Sequence, residues 1–97
     1  GHFHNTYGMA IANIYQSLQQ GIRIFDSSIA GLGGCPYAKG ASGNISTEDL
    51  YYLLSKMGYK TGIDLSALMQ ASHNVGQILE RHNPSNYANA YWQQHSA

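Results

Sequence analysis

Charge is scarce in this chain of 97 residues: Asp, Glu, Lys and Arg make up 10% of it, five basic against five acidic, where ordinary soluble domains carry roughly a quarter. A neutral balance gives no electrostatic case for nucleic acid or an anionic membrane surface as partner, since both need a basic face. Cysteine is reduced to a single residue, which excludes an internal disulfide framework and any Cys-rich zinc module. No apolar run approaches the ~20 residues of a membrane span, so no membrane partner is expected. The first residues also lack the charged-then-apolar order of a signal peptide. What is present is 43% hydrophobic residues together with 11 glycines. That is enough apolar surface for one small domain rich in backbone turns.

Periodicity organises the chain. Gly1-His2-Phe3-His4-Asn5-Thr6-Tyr7-Gly8 alternates polar and apolar residues up to a glycine, which reads as the end of a strand running into a loop. From Met9 to Gln20 the apolar positions Ile11, Ile14, Tyr15 and Leu18 share one helical face, and Gly21 stands where a helix end favours a left-handed residue. The β-branched run Ile22 to Phe25, ending at Asp26, predicts a short buried strand. Strand, helix and strand with short joints is the pattern of a parallel sheet in an α/β fold. Residues 27 to 44 are dominated by Ser, Gly and Pro, and so long a segment without periodicity is usually either functional or disordered. A helix then starts at a Ser46 or Thr47 cap, with Glu48 and Asp49 complementing its positive end and Leu50, Leu53, Leu54 and Met57 as its stripe, closed by Gly58. Asp64 caps a further helix reaching about Arg81, in which Leu65, Leu68, Met69, Ser72, Gly76 and Leu79 share a face. Asn83-Pro84-Ser85-Asn86 is a turn, and the segment from Tyr87 predicts one weak helix. No domain boundary is evident from the residues themselves.

Few residues carry chemistry. His2 and His4 are two apart at a strand end, so both side chains leave one face and can serve as adjacent ligands of one metal ion. Two histidines near a terminus are also commonly surface residues or a cloning remnant. The amide oxygen of Asn44 suits Mg²⁺ or Mn²⁺, although by sequence alone an Asn in a tight turn is the plainer reading. Cys35, between two glycines and a proline, is poorly placed as a core residue. An exposed thiol there suits acid–base or nucleophilic work near a strand's C-terminal end. Asp26 could orient a ligand or cap a turn. Lys39, His73, His82 and His95 read as solvated residues, and Tyr51, Tyr52 and Tyr59 as helix-edge packing.

The run Ser28-Ile29-Ala30-Gly31-Leu32-Gly33-Gly34-Cys35-Pro36-Tyr37 resembles the active-site signature of the 3-hydroxy-3-methylglutaryl-CoA lyases. His2-Phe3-His4 before Thr6-Tyr7-Gly8, Asp26-Ser27-Ser28, and Ala41-Ser42-Gly43-Asn44 before Thr47-Glu48-Asp49 agree with it in order and spacing, from Gly1 to about Arg81. The resemblance implies the C-terminal part of a (β/α)₈ TIM barrel of the divalent-metal lyase and condensing-enzyme superfamily: the last two strand–helix units plus C-terminal helices, with the site at the C-terminal face of the strands. It implies His2, His4 and Asn44 as ligands of Mg²⁺ or Mn²⁺ and Cys35 as the catalytic thiol. The division that the resemblance implies is a barrel portion at 1–82 and a C-terminal tail at 83–97.

The implied reaction is the retro-aldol cleavage of 3-hydroxy-3-methylglutaryl-CoA to acetyl-CoA and acetoacetate, in leucine degradation and ketone-body formation. An acyl-CoA substrate and the N-terminal remainder of the barrel are the implied partners, with a homodimer in the full-length enzyme. The compartment would be cytoplasm in a bacterium and mitochondrial matrix in a eukaryote. Asn5 departs from the Asp usual after the second His of the lyases. The Arg–Asp pair and the Glu that the family supplies from upstream are not among these residues. A start in mid-strand without Met fits a fragment, expected to be inactive alone because two strands cannot close a barrel. The competing readings are a non-catalytic metal-binding or assembly module, and a lyase for another branched 3-hydroxyglutaryl-CoA.

Overall fold

The computed structural model describes residues 1–33, 43–80 and 83–95; Cys35, Lys39 and His82 lie outside the described residues. Four helices are observed: α1 at Ala10–Gln19, α2 at Thr47–Lys56, α3 at Leu65–Leu79 and α4 at Asn86–His95; the apolar stripes are followed, with Tyr15, expected on the buried face of α1, 49% exposed at its edge. Their ends obey local chemistry. Ser46 Oγ accepts the Asp49 N–H at 3.1 Å to start α2, and Asp64 Oδ1 accepts the Ala67 N–H at 3.1 Å to start α3, so each cap satisfies a donor that the helix leaves unpaired. Gly21, with φ +94°, turns the chain after α1. No helix among the described residues is long and apolar enough to cross a membrane.

Three extended segments run between the helices and meet at single positions: His2 with Asp26 in parallel, His4 with Asn44 antiparallel, and Ser28 with Ser46 in parallel. The segment around Ile45 wedges between the other two. Its N–H donates to Phe3 O at 3.0 Å and its carbonyl accepts from Ser28 N at 3.2 Å. Because alternate side chains of an extended chain face opposite ways, Phe3, Phe25 and Ile45 turn toward the helices. There they join a core built on Ala10, Ile14, Leu18 and Leu50. The intervening residues His2, His4 and Asp26 are left exposed on the other face. The helical layer thus covers one side of the extended segments, and the chemistry-bearing residues occupy the other.

The expected burial of the strand at 22–25 is not observed. Ile22 is 40% and Ile24 79% exposed. A parallel strand is buried when it is paired on both edges and covered on both faces. Among the described residues this segment meets an extended neighbour on one side, with Gly1 N donating to Ile24 O at 2.6 Å and Asp26 N donating to Gly1 O at 2.7 Å, while Ile22 N turns back to Ser17 O at 3.1 Å. The last turn of α3 departs for a similar reason: Leu79, expected on the buried face, is 48% exposed because nothing described covers it. The helix also ends sooner than Arg81, at a left-handed Glu80 with φ 50°.

Residues 83–95 form more than a trailing tail. Asp49 Oδ1 accepts from Ser85 Oγ at 2.7 Å and from Tyr87 N at 3.0 Å, and Ala88 is fully buried. Tyr87 meets the Tyr52 ring edge-on at 4.5 Å and stacks on Tyr51 at 6.4 Å. Burial, and then these neighbours and Tyr91, push its phenol above the ordinary value. Polar anchors and aromatic contacts therefore hold a helix whose own amphipathicity is weak. Asp49→Ala is expected to lower stability by about 2–3 kcal/mol, because two donors lose a charged acceptor. A urea titration followed by the fluorescence of Trp92, the single tryptophan, reads that loss; an unchanged midpoint would show that the anchor contributes nothing.

Candidate metal centre and the turn beside it

The face that the helices leave open holds two imidazoles. The rings of His2 and His4 lie 5.3 Å apart between centroids, inclined at 69°. This follows from alternation: Phe3 goes into the core and its two neighbours go together to the other side. His2 Nδ1 stands 3.5 Å from Asp26 Oδ2, the parallel pairing having set these two residues side by side. A carboxylate on one ring nitrogen orients an imidazole so that the other nitrogen is aimed at a ligand.

Asn44, at the other end of the Gly-rich segment, is paired through its backbone with His4. The turn Ile29–Gly31 and the two residues after it lie against Asn44. A side chain at Gly33 would meet Asn44 Nδ2 at 3.8 Å, and one at Gly31 would meet Asn44 O at 3.4 Å. Gly43 has no room for a Cβ at all, since the carbonyl oxygens of Gly31 and Gly33 already occupy that space. Among the described residues no three His, Cys, Asp or Glu side chains gather into a metal cage. The candidate donors that the sequence offers are the two imidazoles and the Asn44 amide, with the Asp26 carboxylate 3.5 Å from His2 Nδ1. Mixed nitrogen and oxygen donors of this kind fit a hard or borderline divalent cation such as Mg²⁺ or Mn²⁺.

Other sequence expectations sort themselves by position. Asn5 does not face this group: its Oδ1 accepts the Ala10 N–H at 3.2 Å and its own N–H donates to Gly43 O at 3.0 Å, tying the start of α1 to the far end of the Gly-rich segment. His73 lies against Trp92 at 5.2 Å and His95 on Tyr91 at 4.1 Å, both away from the histidine pair in sequence and in contacts. Cys35 lies outside the described residues.

One residue of consequence escaped the sequence reading. Glu48, expected to complement the positive end of α2, is also fully buried. Its carboxylate accepts the Ala30 N–H on both oxygens at 3.0 Å and the Ser72 Oγ–H at 2.6 Å. No spacing rule announces this, because Glu in a first helical turn is ordinary on electrostatic grounds alone.

With this geometry in place, similarity to known proteins becomes informative. The HMGL-like family model matches residues 1–75. A Pseudomonas aeruginosa protein named 3-hydroxy-3-isohexenylglutaryl-CoA/hydroxy-methylglutaryl-CoA lyase is 56% identical over 90 residues, which is 93% of this chain and 30% of that protein. The crystal structure of a hydroxymethylglutaryl-CoA lyase from the same organism superposes with a TM-score of 0.91 at 53% identity, covering 97% of this chain and 31% of the other. A lyase from Acinetobacter baumannii, solved with coenzyme A and 3-methylmalate, superposes with a TM-score of 0.85 at 47% identity, covering 92% and 29%. The chain therefore spans about 30% of the length of the relatives it matches.

Proposed function

The chain belongs to the HMGL-like family, and from that membership we propose that it is the C-terminal part of a hydroxymethylglutaryl-CoA lyase, a partial (β/α)₈ barrel carrying one side of the active site. The reading is supported by the His2 and His4 rings lying 5.3 Å apart on the open face of the extended segments, with the Asn44 backbone paired to His4 next to the Ile29–Gly31 turn. In a barrel this face is the interior, and the C-terminal ends of the strands that bound it are where the fold keeps its chemistry.

His2, His4 and Asn44 would hold the divalent cation, with Asp26 orienting His2. When bound, the cation supplies Lewis acidity, lowering the pKa of the substrate's C3 hydroxyl and balancing charge on oxygen. Loss of the hydroxyl proton lets its electron pair form the ketone of acetoacetate while the adjacent C–C bond breaks. The electrons of that bond pass to the acetyl-CoA enolate. The enolate carbon then takes a proton, and Cys35 is the donor in this reading. The remaining acidic and basic groups would come from the N-terminal part of the barrel. The compartment follows the source, cytoplasm in a bacterium and mitochondrial matrix in a eukaryote; a homodimer is the proposed state of the complete enzyme.

The test is a coupled assay for acetoacetate from 3-hydroxy-3-methylglutaryl-CoA with Mg²⁺ or Mn²⁺, run on this chain alone and on the chain joined to the N-terminal portion of a related lyase. Activity is expected in the joined enzyme only. Activity in neither would move the reading to a non-catalytic module. The Pseudomonas aeruginosa relative's name includes a longer branched acyl-CoA, so the same assay with 3-hydroxy-3-isohexenylglutaryl-CoA decides between a narrow and a broad acyl specificity.

A further inference from the structure

We propose that Glu48 is a positioning residue for the Asn44 end of the metal site, acting through the turn at Ile29–Gly31. The proposal rests on the reading of His2, His4 and Asn44 as ligands. Glu48 has no exposure to solvent, and a buried carboxylate is strongly unfavourable unless donors replace its water. The donors here come from three different parts of the chain. Ala30 N donates to both oxygens at 3.0 Å, Ser72 Oγ on α3 donates at 2.6 Å, and Asn83 Nδ2 lies 3.5 Å from Oε2 while donating to Ser72 Oγ at 2.7 Å.

What the carboxylate holds is a strained turn. Ala30 is buried with φ +53°, a left-handed conformation that is sterically unfavourable for a residue with a Cβ. Such backbone persists where its surroundings over-determine it. Ser28 Oγ closes the same turn by donating to Leu32 O at 2.5 Å. The turn carries the Gly31 and Gly33 carbonyls onto Gly43, and Gly31 itself fits between Asn44 O and Pro84 Cγ. Asn44 is thereby backed on one side by the turn and paired on the other with His4. With the Ala30 N–H released from Glu48, the turn is free to relax toward an ordinary backbone conformation and Asn44 loses its backing. The C-terminal turn at Asn83–Ser85 takes part in the same brace, although it lies beyond the residues that the family model matches.

A role confined to fold stability makes a different prediction, since it lowers the unfolding midpoint and leaves cation affinity of the folded protein untouched. The experiment measures Mn²⁺ binding by calorimetry in the joined enzyme, well below the unfolding transition of each variant. Glu48→Gln keeps the shape but turns one acceptor into a donor facing donors. It is expected to raise the Mn²⁺ Kd by about tenfold, the lower end of what a supporting partner of a ligand contributes. The double variant with Asn44→Ala is expected to bind no more weakly than Asn44→Ala alone, because the two act in series. Ser72→Ala, a milder change that leaves the carboxylate in place, is expected to weaken Mn²⁺ in the same direction and serves if Glu48→Gln fails to fold. An unchanged Kd, or full additivity with Asn44→Ala, overturns the proposal. If His4→Ala also left Mn²⁺ affinity unchanged, the ligand assignment would be at fault rather than the role of Glu48.

Discussion

His4→Ala in the joined enzyme is expected to weaken Mn²⁺ binding by roughly 100-fold or more and to abolish acetoacetate formation at sub-saturating metal. Removing a group that merely supports a ligand loses about 10–100-fold in affinity, so removal of a ligand itself belongs at or beyond the upper end. His4 is the better choice of the two histidines because it stands at the centre of the arrangement. Its ring faces His2 at 5.3 Å and its backbone pairs with Asn44. The change is also gentle to the fold, since the His4 side chain lies on the open face and Phe3 beside it keeps its place against the core. Calorimetry gives the affinity and thermal unfolding the control. Loss of affinity with an unchanged unfolding midpoint is the expected pattern. Unchanged affinity would remove His4 from the ligand set and with it the metal-centre reading.

The features legible in the sequence were those set by neighbours along the chain. The stripes of α1, α2 and α3, the Ser46 and Asp64 caps and the left-handed Gly21 each depend on contacts within a few residues, and local rules reach that far. The shared face of His2 and His4 followed from alternation in the same way. Asn44 was ambiguous on its own, because a turn asparagine and a ligand asparagine read identically; its place beside His4 depends on a pairing across about forty residues of chain. Glu48 was legible only in part. Its position in the first turn of α2 was evident, but its burial depends on Ala30, Ser72 and Asn83 arriving from three separate segments. The expected burial of Ile22 to Phe25 failed for the opposite reason. A β-branched run reports a preference for burial, while actual burial needs partners on both edges, and the described residues provide one.

Cys35→Ser in the joined enzyme is expected to lower kcat by about 10²–10⁴-fold, the range that positioned general acid–base groups contribute, with little change in Mn²⁺ affinity. Serine nearly preserves the size of the side chain and can still hydrogen-bond, so the substitution isolates acidity. A hydroxyl is a far weaker acid than a thiol, whose ordinary pKa is about 8.5, and it surrenders a proton to an enolate carbon much more slowly. The pair of measurements separates two ways of losing turnover. His4→Ala acts on the cation and is seen in calorimetry; Cys35→Ser acts on proton delivery and is seen in kcat alone. A serine variant that turned over within a few-fold of the parent would remove the thiol as proton donor and pass that step to a group in the N-terminal part of the barrel. A variant that lost cation affinity along with turnover would instead place Cys35 among the structural supports of the metal site. Selective loss of kcat is the one result that fits the sequence Gly33-Gly34-Cys35-Pro36, where glycines on one side and proline on the other leave the thiol poorly suited to a core and well suited to meeting a substrate.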